Sequence, residues 1–261
     1  MKYQLTTTLI LLLLFTLTEF TGLFITLAYH HKQLPYTLEP PPVTSDWSPV
    51  YIITGVLITT ALFYLLTKLR FDKLIKLWFS SAVLIGLSVS LSLFINDLMA
   101  LIVSAVLTII RLMNRDQVVH NLTEVLLYGG IVAVFQPLFN PLSALILLII
   151  ISIYDYISVN VTKHMVLMAQ AQASNNLFTG LIVKRGSETA ILGGGDIAFS
   201  LLFASVMSTA HGVLSAYLTI YLVLITLTGL TLLSHKGKYY PAMPFITTAC
   251  VTSFLLTINI I

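Results

Sequence analysis

Runs of about twenty apolar residues recur along the whole chain, separated only by short polar or proline-rich breaks, and a run of some 18 or more such residues is long enough to cross a bilayer as a helix. The breaks leave nine runs: 5–29, 48–67, 76–95, 97–112, 118–138, 142–163, 192–210, 213–234 and 241–261. In hydrocarbon every backbone N–H and C=O must be satisfied within the segment, so each run is expected to be a helix. The fold class that follows is an all-α membrane protein of nine transmembrane helices. Composition excludes a soluble domain, since 57% of the 261 residues are hydrophobic and 9% are charged. The first run is too long for the apolar core of a signal peptide and no small-residue cleavage site follows it, so it is read as the first span. Cys250 is the single cysteine, which excludes an internal disulfide and gives no support to a zinc cluster. No fixed-period repeat divides the chain. It falls into a segment of six spans (1–163), a connection (164–191) and a segment of three spans (192–261).

An odd number of spans puts the termini on opposite sides, and Lys and Arg gather on the cytoplasmic side. With this map all of the 13 basic residues except Lys32 share one side. The N-terminus is therefore expected in the cytoplasm and the C-terminus outside, as for a multi-pass protein of the cell membrane. Between the first two spans, Pro40-Pro41-Pro42 cannot continue a helix and reads as an extended outer loop. The longest cytoplasmic connection is 164–191. Met165 to Ala173 can extend the sixth helix until Ser174-Asn175-Asn176 stops it. Phe178 to Val183 and Thr189 to Leu192 are β-prone runs flanking Lys184 to Glu188, the spacing of a hairpin, with a disordered loop as the alternative.

Two carboxylates stand out within the apolar runs. Asp155 lies in Ile153-Tyr154-Asp155-Tyr156 late in the sixth span, and Asp196 follows Gly193-Gly194-Gly195 at the start of the seventh. An aspartate inside a bilayer costs roughly 2.5–3.5 kcal/mol on insertion scales, so each marks a functional site by default. At 1.5 Å per helical residue, Asp155 is roughly 12 Å and Asp196 roughly 6 Å from the cytoplasmic ends of their spans. Both belong to the same half of the membrane, where antiparallel neighbours can bring them face to face. Two facing carboxylates of low solvation titrate as a unit and retain one proton. The ionised partner can take a proton from an attacking water and the protonated one can donate to a peptide carbonyl and then to the leaving nitrogen. Which aspartate holds the proton is left open.

The surrounding residues suit that chemistry. Gly193, Gly194 and Gly195 permit close approach of another backbone, although small residues also serve ordinary helix packing. Pro241-Ala242-Met243-Pro244 opens the ninth span at the same depth, and two prolines prevent regular helix there while freeing nearby backbone groups.

Together these three stretches resemble the presenilin and signal peptide peptidase family of intramembrane aspartyl proteases. Tyr154-Asp155 matches its Tyr-Asp motif, Gly193-Gly194-Gly195-Asp196 its Gly-x-Gly-Asp motif, and Pro241-Ala242-Met243 its Pro-Ala-Leu motif with Met in place of Leu, an exchange of similar volume. The order of the motifs, the nine spans and the long sixth-to-seventh connection also match, as in a compact microbial, archaeal-type member. The resemblance implies an endopeptidase with Asp155 and Asp196 as the catalytic pair, Tyr154, Gly193 to Gly195 and Pro241 to Met243 around it, and no metal or organic cofactor. It also implies that substrate adds a β-strand near the seventh helix. The run Thr189-Ala190-Ile191-Leu192 offers a plausible edge for this. The implied partners are single-span transmembrane peptides or signal-peptide remnants and the bilayer itself, with no nucleic acid; oligomeric state is open.

Glu19, Glu124 and the stripe His120, Glu124, Tyr128, spaced every four residues, lack motif context and read as polar packing between helices. Rival functions are a proton-coupled transporter or channel, disfavoured by the absence of a repeat, and a prepilin-type aspartyl peptidase, disfavoured by the nine-span map.

Overall fold

The computed structural model describes residues 4–38, 71–113, 116–160, 178–186, 188–234 and 240–260, together with parts of 50–69. The helices are α1 (Leu5–His30), α2 (Asp72–Leu91), α3 (Asp97–Met113), α4 (Gln117–Phe135), α5 (Pro141–Asn160), α6 (Gly194–His211), α7 (Val213–Leu233) and α8 (Met243–Ile260), with a two-stranded sheet of β1 (Gly180–Arg185) and β2 (Glu188–Gly193) before α6. Among the described residues five stretches are long and apolar enough to cross a membrane: Leu5–His30, Lys73–Leu91, Gln117–Leu138, Pro141–Asn160 and Val213–Leu233. The chain is thus a multi-pass membrane protein. The expected span 48–67 and the expected helical extension Met165 to Ala173 lie largely or wholly outside the described residues.

Helix ends follow local chemistry. Asp116 caps α4 by accepting from Val118 N at 2.9 Å. Pro137 ends the α-helical run in a short 3-10 turn, Gln136–Leu138. Asn140 and Ser143 cap each other reciprocally at the start of α5, at 2.8 and 2.9 Å. Two boundaries differ from the sequence reading. The run expected at 76–95 forms α2 four residues earlier, because Lys73 and Lys76 can lie along a helix while their ammonium groups reach for the interface. The run expected from 192 becomes helical only at Gly194, because Leu192 and Gly193 belong to β2.

Helix α6 is the axis of the bundle, packed against α1, α4, α5, α7 and α8. Ile197, Leu201, Phe203, Val206 and Met207 are fully buried on it. Enclosure by other helices explains why α6 tolerates Ser200, Ser205 and Ser208, all buried, with little lipid contact of its own.

The hairpin exists as a tight antiparallel pair with Leu181 opposite Leu192 and Val183 opposite Ala190. Those four side chains are buried against the bundle, whereas Lys184, Thr189 and Ile191 on the other face are exposed. The strands continue to Arg185 and Glu188, so the turn is much tighter than the expected Lys184 to Glu188, with Gly186 at φ +58°. Gly180 opens β1 at φ +129°, where a Cβ would lie 2.1 Å from the Leu192 carbonyl oxygen; no other residue fits.

Candidate active site

Asp155 is carried by the last turns of α5 and is 6% exposed. Its Oδ2 accepts a hydrogen bond of 3.2 Å from the backbone N–H of Met243, the first residue of α8. This contact is the end of a polar seam between the two helices. Ser152 and Thr247 bond each other at 2.5 Å, and Thr247 Oγ1 also donates to the Leu148 carbonyl at 3.2 Å. Pro241 is buried, Ala242 half-buried and Met243 buried beside this seam. The Ala242 carbonyl accepts from Phe245 and Ile246 at 3.1 Å, which closes the first turn of α8 around Pro244.

Asp196 is the third residue of α6 and is half-buried. Its Oδ2 abuts Gly193, where an added Cβ would lie 3.2 Å away, and its carboxylate lies within electrostatic range of Asp155. The Pro241–Met243 edge therefore meets Asp155 through the Met243 N–H, and Asp196 lies within electrostatic range of Asp155. Each carboxylate stands at a helix N-terminus, Asp196 at that of α6 and Asp155 against that of α8, where backbone N–H groups favour negative charge. Ser200, one turn on, donates to the Asp196 carbonyl at 2.8 Å and to the buried Glu19 carboxylate on α1. Tyr154 is half-buried beside Asp155.

The three glycines have different surroundings. A Cβ on Gly194 would sit 2.5 Å from the Tyr128 hydroxyl and 3.1 Å from Thr179 Cβ, so this position has no room. One on Gly193 would press on Asp196 Oδ2 at 3.2 Å, whereas one on Gly195 would make an ordinary 3.8 Å contact with Phe199. Gly195 is exposed. Of Thr189 to Leu192, Ala190 and Leu192 anchor the hairpin, and Thr189 and Ile191 are exposed.

A second cluster escaped the reading of the sequence as polar packing. Arg111, buried on α3, forms an ion pair with Glu124 of α4 and also donates to Thr123 Oγ1 and the Phe178 carbonyl, both at 3.0 Å. Glu124 further accepts from the Tyr128 hydroxyl and from Gly180 N at 2.9 Å. His120 Nε2–H donates to the Gly180 carbonyl at 2.7 Å. Asn121 accepts from Ile182 N at 3.0 Å and donates to the Ile182 carbonyl at 2.7 Å, and Gln117 accepts from Lys184 N at 2.8 Å. The stripe packs against helix α3 through Arg111, as expected of polar packing between helices, and in addition against strand β1. Its signal in the sequence was the amide pair Gln117 and Asn121 beside His120 and Glu124, since lipid offers such side chains no partner. Among the described residues no group of three or more His, Cys, Asp or Glu is arranged to hold a metal ion.

A bundle of apolar helices that carries two aspartates to one place, beside a hairpin, has the parts of an intramembrane aspartyl hydrolase. The profile of the family described as signal-peptide peptidase, presenilin aspartyl protease matches residues 12–261, and the chain belongs to that family. It is accordingly an aspartic endopeptidase of the intramembrane-cleaving kind. Two solved structures of a presenilin family intramembrane aspartate protease, in C222 and P2 space groups, share its fold. The first superposes with a TM-score of 0.71 at 20% identity, covering 97% of this chain and 99% of the other. The second gives 0.69 at 19% identity, covering 96% and 97%. No curated protein matches the chain.

Proposed function

We propose that Asp155 and Asp196 are the catalytic dyad of this protease and that it hydrolyses peptide bonds within single-span membrane segments or signal-peptide remnants. The observation that supports this reading is the position of Asp155 and Asp196 at two helix N-termini within electrostatic range of each other, with Asp155 held by the Met243 N–H. The pair shares one proton. The ionised aspartate takes a proton from water as the water oxygen bonds to the scissile carbonyl carbon, and the protonated aspartate donates to the carbonyl oxygen. Collapse of the tetrahedral intermediate breaks the C–N bond while a proton passes to the leaving nitrogen. Met243 N–H orients Asp155.

A spanning helix hides its peptide bonds, so it must unwind before it is cut, and strand addition along β2 would hold the unwound segment by its backbone. Support for this comes from the exposed Thr189 and Ile191 and from β2 running straight into α6. The nine-span arrangement with a cytoplasmic N-terminus, an extracytoplasmic C-terminus and residence in the cell membrane belongs to the same proposal, as does the division at 163 and 191. It rests on the distribution of basic residues about the apolar runs.

The test is cleavage of a generic single-span peptide by purified protein in detergent beside Asp196→Asn, with products identified by mass spectrometry. Cuts inside the hydrophobic segment that vanish in the variant are expected. Equal cutting by both proteins would overturn the dyad.

A further inference from the structure

The two edges of the hairpin are not equivalent. In an antiparallel pair the backbone groups of alternate residues point toward the partner strand and those between them point away. Gly180, Ile182 and Lys184 point away from β2, and their backbone groups are met by the side chains of α4: Gly180 by Glu124 and His120, Ile182 by Asn121, and Lys184 by Gln117. Asn121 deserves its place through chemistry. Its side-chain amide carries the same C=O and N–H pair as a peptide unit, so it bonds both groups of Ile182 as a neighbouring strand would. Gln117, Asn121 and Glu124 recur at helical spacings of four and three, which sets them along one face beside every second residue of β1. Arg111 fixes the end of the row through Glu124.

The opposite edge belongs to β2. By the register, Thr189, Ile191 and Gly193 are opposite Lys184, Ile182 and Gly180, so their backbone groups point outward from the sheet. Among the described residues no hydrogen bond reaches the outward groups of Thr189 and Ile191, and Gly193 abuts the Asp196 carboxylate.

We propose that the polar face of α4, with Asn121 at its centre and Gln117 and Glu124 on either side, is a positioning template that builds the hairpin before substrate arrives and leaves β2 as its single accepting edge. This rests on the strand-addition reading above. A prebuilt edge spares the substrate the cost of ordering the hairpin, so the template acts on substrate binding and not on the bond-breaking step. It also fixes the side of the sheet on which a substrate strand is laid, the side that leads to Asp196.

The test uses the full-length enzyme in detergent. Amide hydrogen exchange without substrate, resolved to single residues across 178–193, reads the template directly. The wild type should protect the Ile182 and Lys184 amides. In Asn121→Leu, of similar shape, Ile182 should exchange about tenfold faster or more, and KM for the single-span peptide should rise about tenfold with kcat within about twofold. Gln117→Met, at a half-buried site where misfolding is not expected, should shift Lys184 and KM in the same direction by a smaller factor. Unchanged protection in both variants would overturn the template, as would unprotected Ile182 in the wild type. A fall in kcat at constant KM would also overturn it, because α4 would then be acting on Asp196 and not on the edge. A peptide N-methylated at alternate residues around the scissile bond tests strand addition separately. Normal cleavage of it by wild type would remove that reading and the KM expectation with it, while the exchange result would still decide whether α4 holds β1.

Discussion

Glu124 and the Asp155–Asp196 pair are carboxylates within one bundle, and Tyr128, which donates to Glu124, is near enough to Asp196 to feel its charge. Their surroundings differ in kind. Glu124 has a cation beside it and receives hydrogen bonds from Arg111, Tyr128 and Gly180 N, so both of its oxygens are occupied. Among the described residues Asp155 and Asp196 have no basic partner, and Asp155 receives a single hydrogen bond, from the Met243 N–H. A saturated carboxylate is held in one state and serves as an anchor. A carboxylate with lone pairs to spare can bind water, exchange a proton and meet a substrate.

The largest effect that can break this contrast is on turnover. Asp155→Asn and Asp196→Asn should each fold and lower kcat by at least about a thousandfold, read from peptide cleavage by matched amounts of folded protein. Substantial activity in either would mean the open carboxylates are not the working ones. Next comes the anchor. Glu124→Leu leaves Arg111 buried without its counter-charge and should cost roughly 3–5 kcal/mol, seen as a lowered unfolding midpoint. Adding Arg111→Met should restore much of that loss, and a double variant no better than the single one would show that the pair is not a unit.

A smaller effect separates the glycines that lie between the two clusters. Gly194→Ala should destabilise by about 1–3 kcal/mol because its methyl meets the Tyr128 hydroxyl, and Tyr128→Phe should relieve part of it. Full stability of Gly194→Ala on a thermal melt would place the clash elsewhere. The smallest expected change is a gain of about 0.5–1 kcal/mol for Gly195→Ala, which has space in the first turn of α6. A loss there would mean that the open side of Gly195 is not open.

The membrane class and the three motifs could be read directly, because hydrocarbon imposes a length on each span and makes an aspartate conspicuous. What could not be read depended on partners far away in sequence. Gly194 occupies the position that the motif leaves unspecified, yet it is the one with no room, and that follows from Tyr128, sixty-six positions earlier in the chain. The hairpin was anticipated in place but not in register, since β-prone runs do not encode where a turn tightens; Gly186 and the pairing of Arg185 with Glu188 do. The bonding of Asn121 to Ile182 requires knowing that a strand lies along α4. The span at 192 began two residues late for a related reason: Leu192 is apolar enough for a helix, but its burial opposite Leu181 puts it in the sheet.

Strand β2 ends at Gly193 and α6 begins at Gly194, with no linker between them. The join is therefore a stiff coupling, through which a force applied along the strand is delivered to the first turn of the helix within three residues. If substrate adds along β2 as proposed, a peptide that lies badly on the strand would tilt Asp196 away from its target, and one that lies well would steady it. Fit along the edge and alignment of the carboxylate would then be a single mechanical event, and a poor substrate would be refused by a failure to aim.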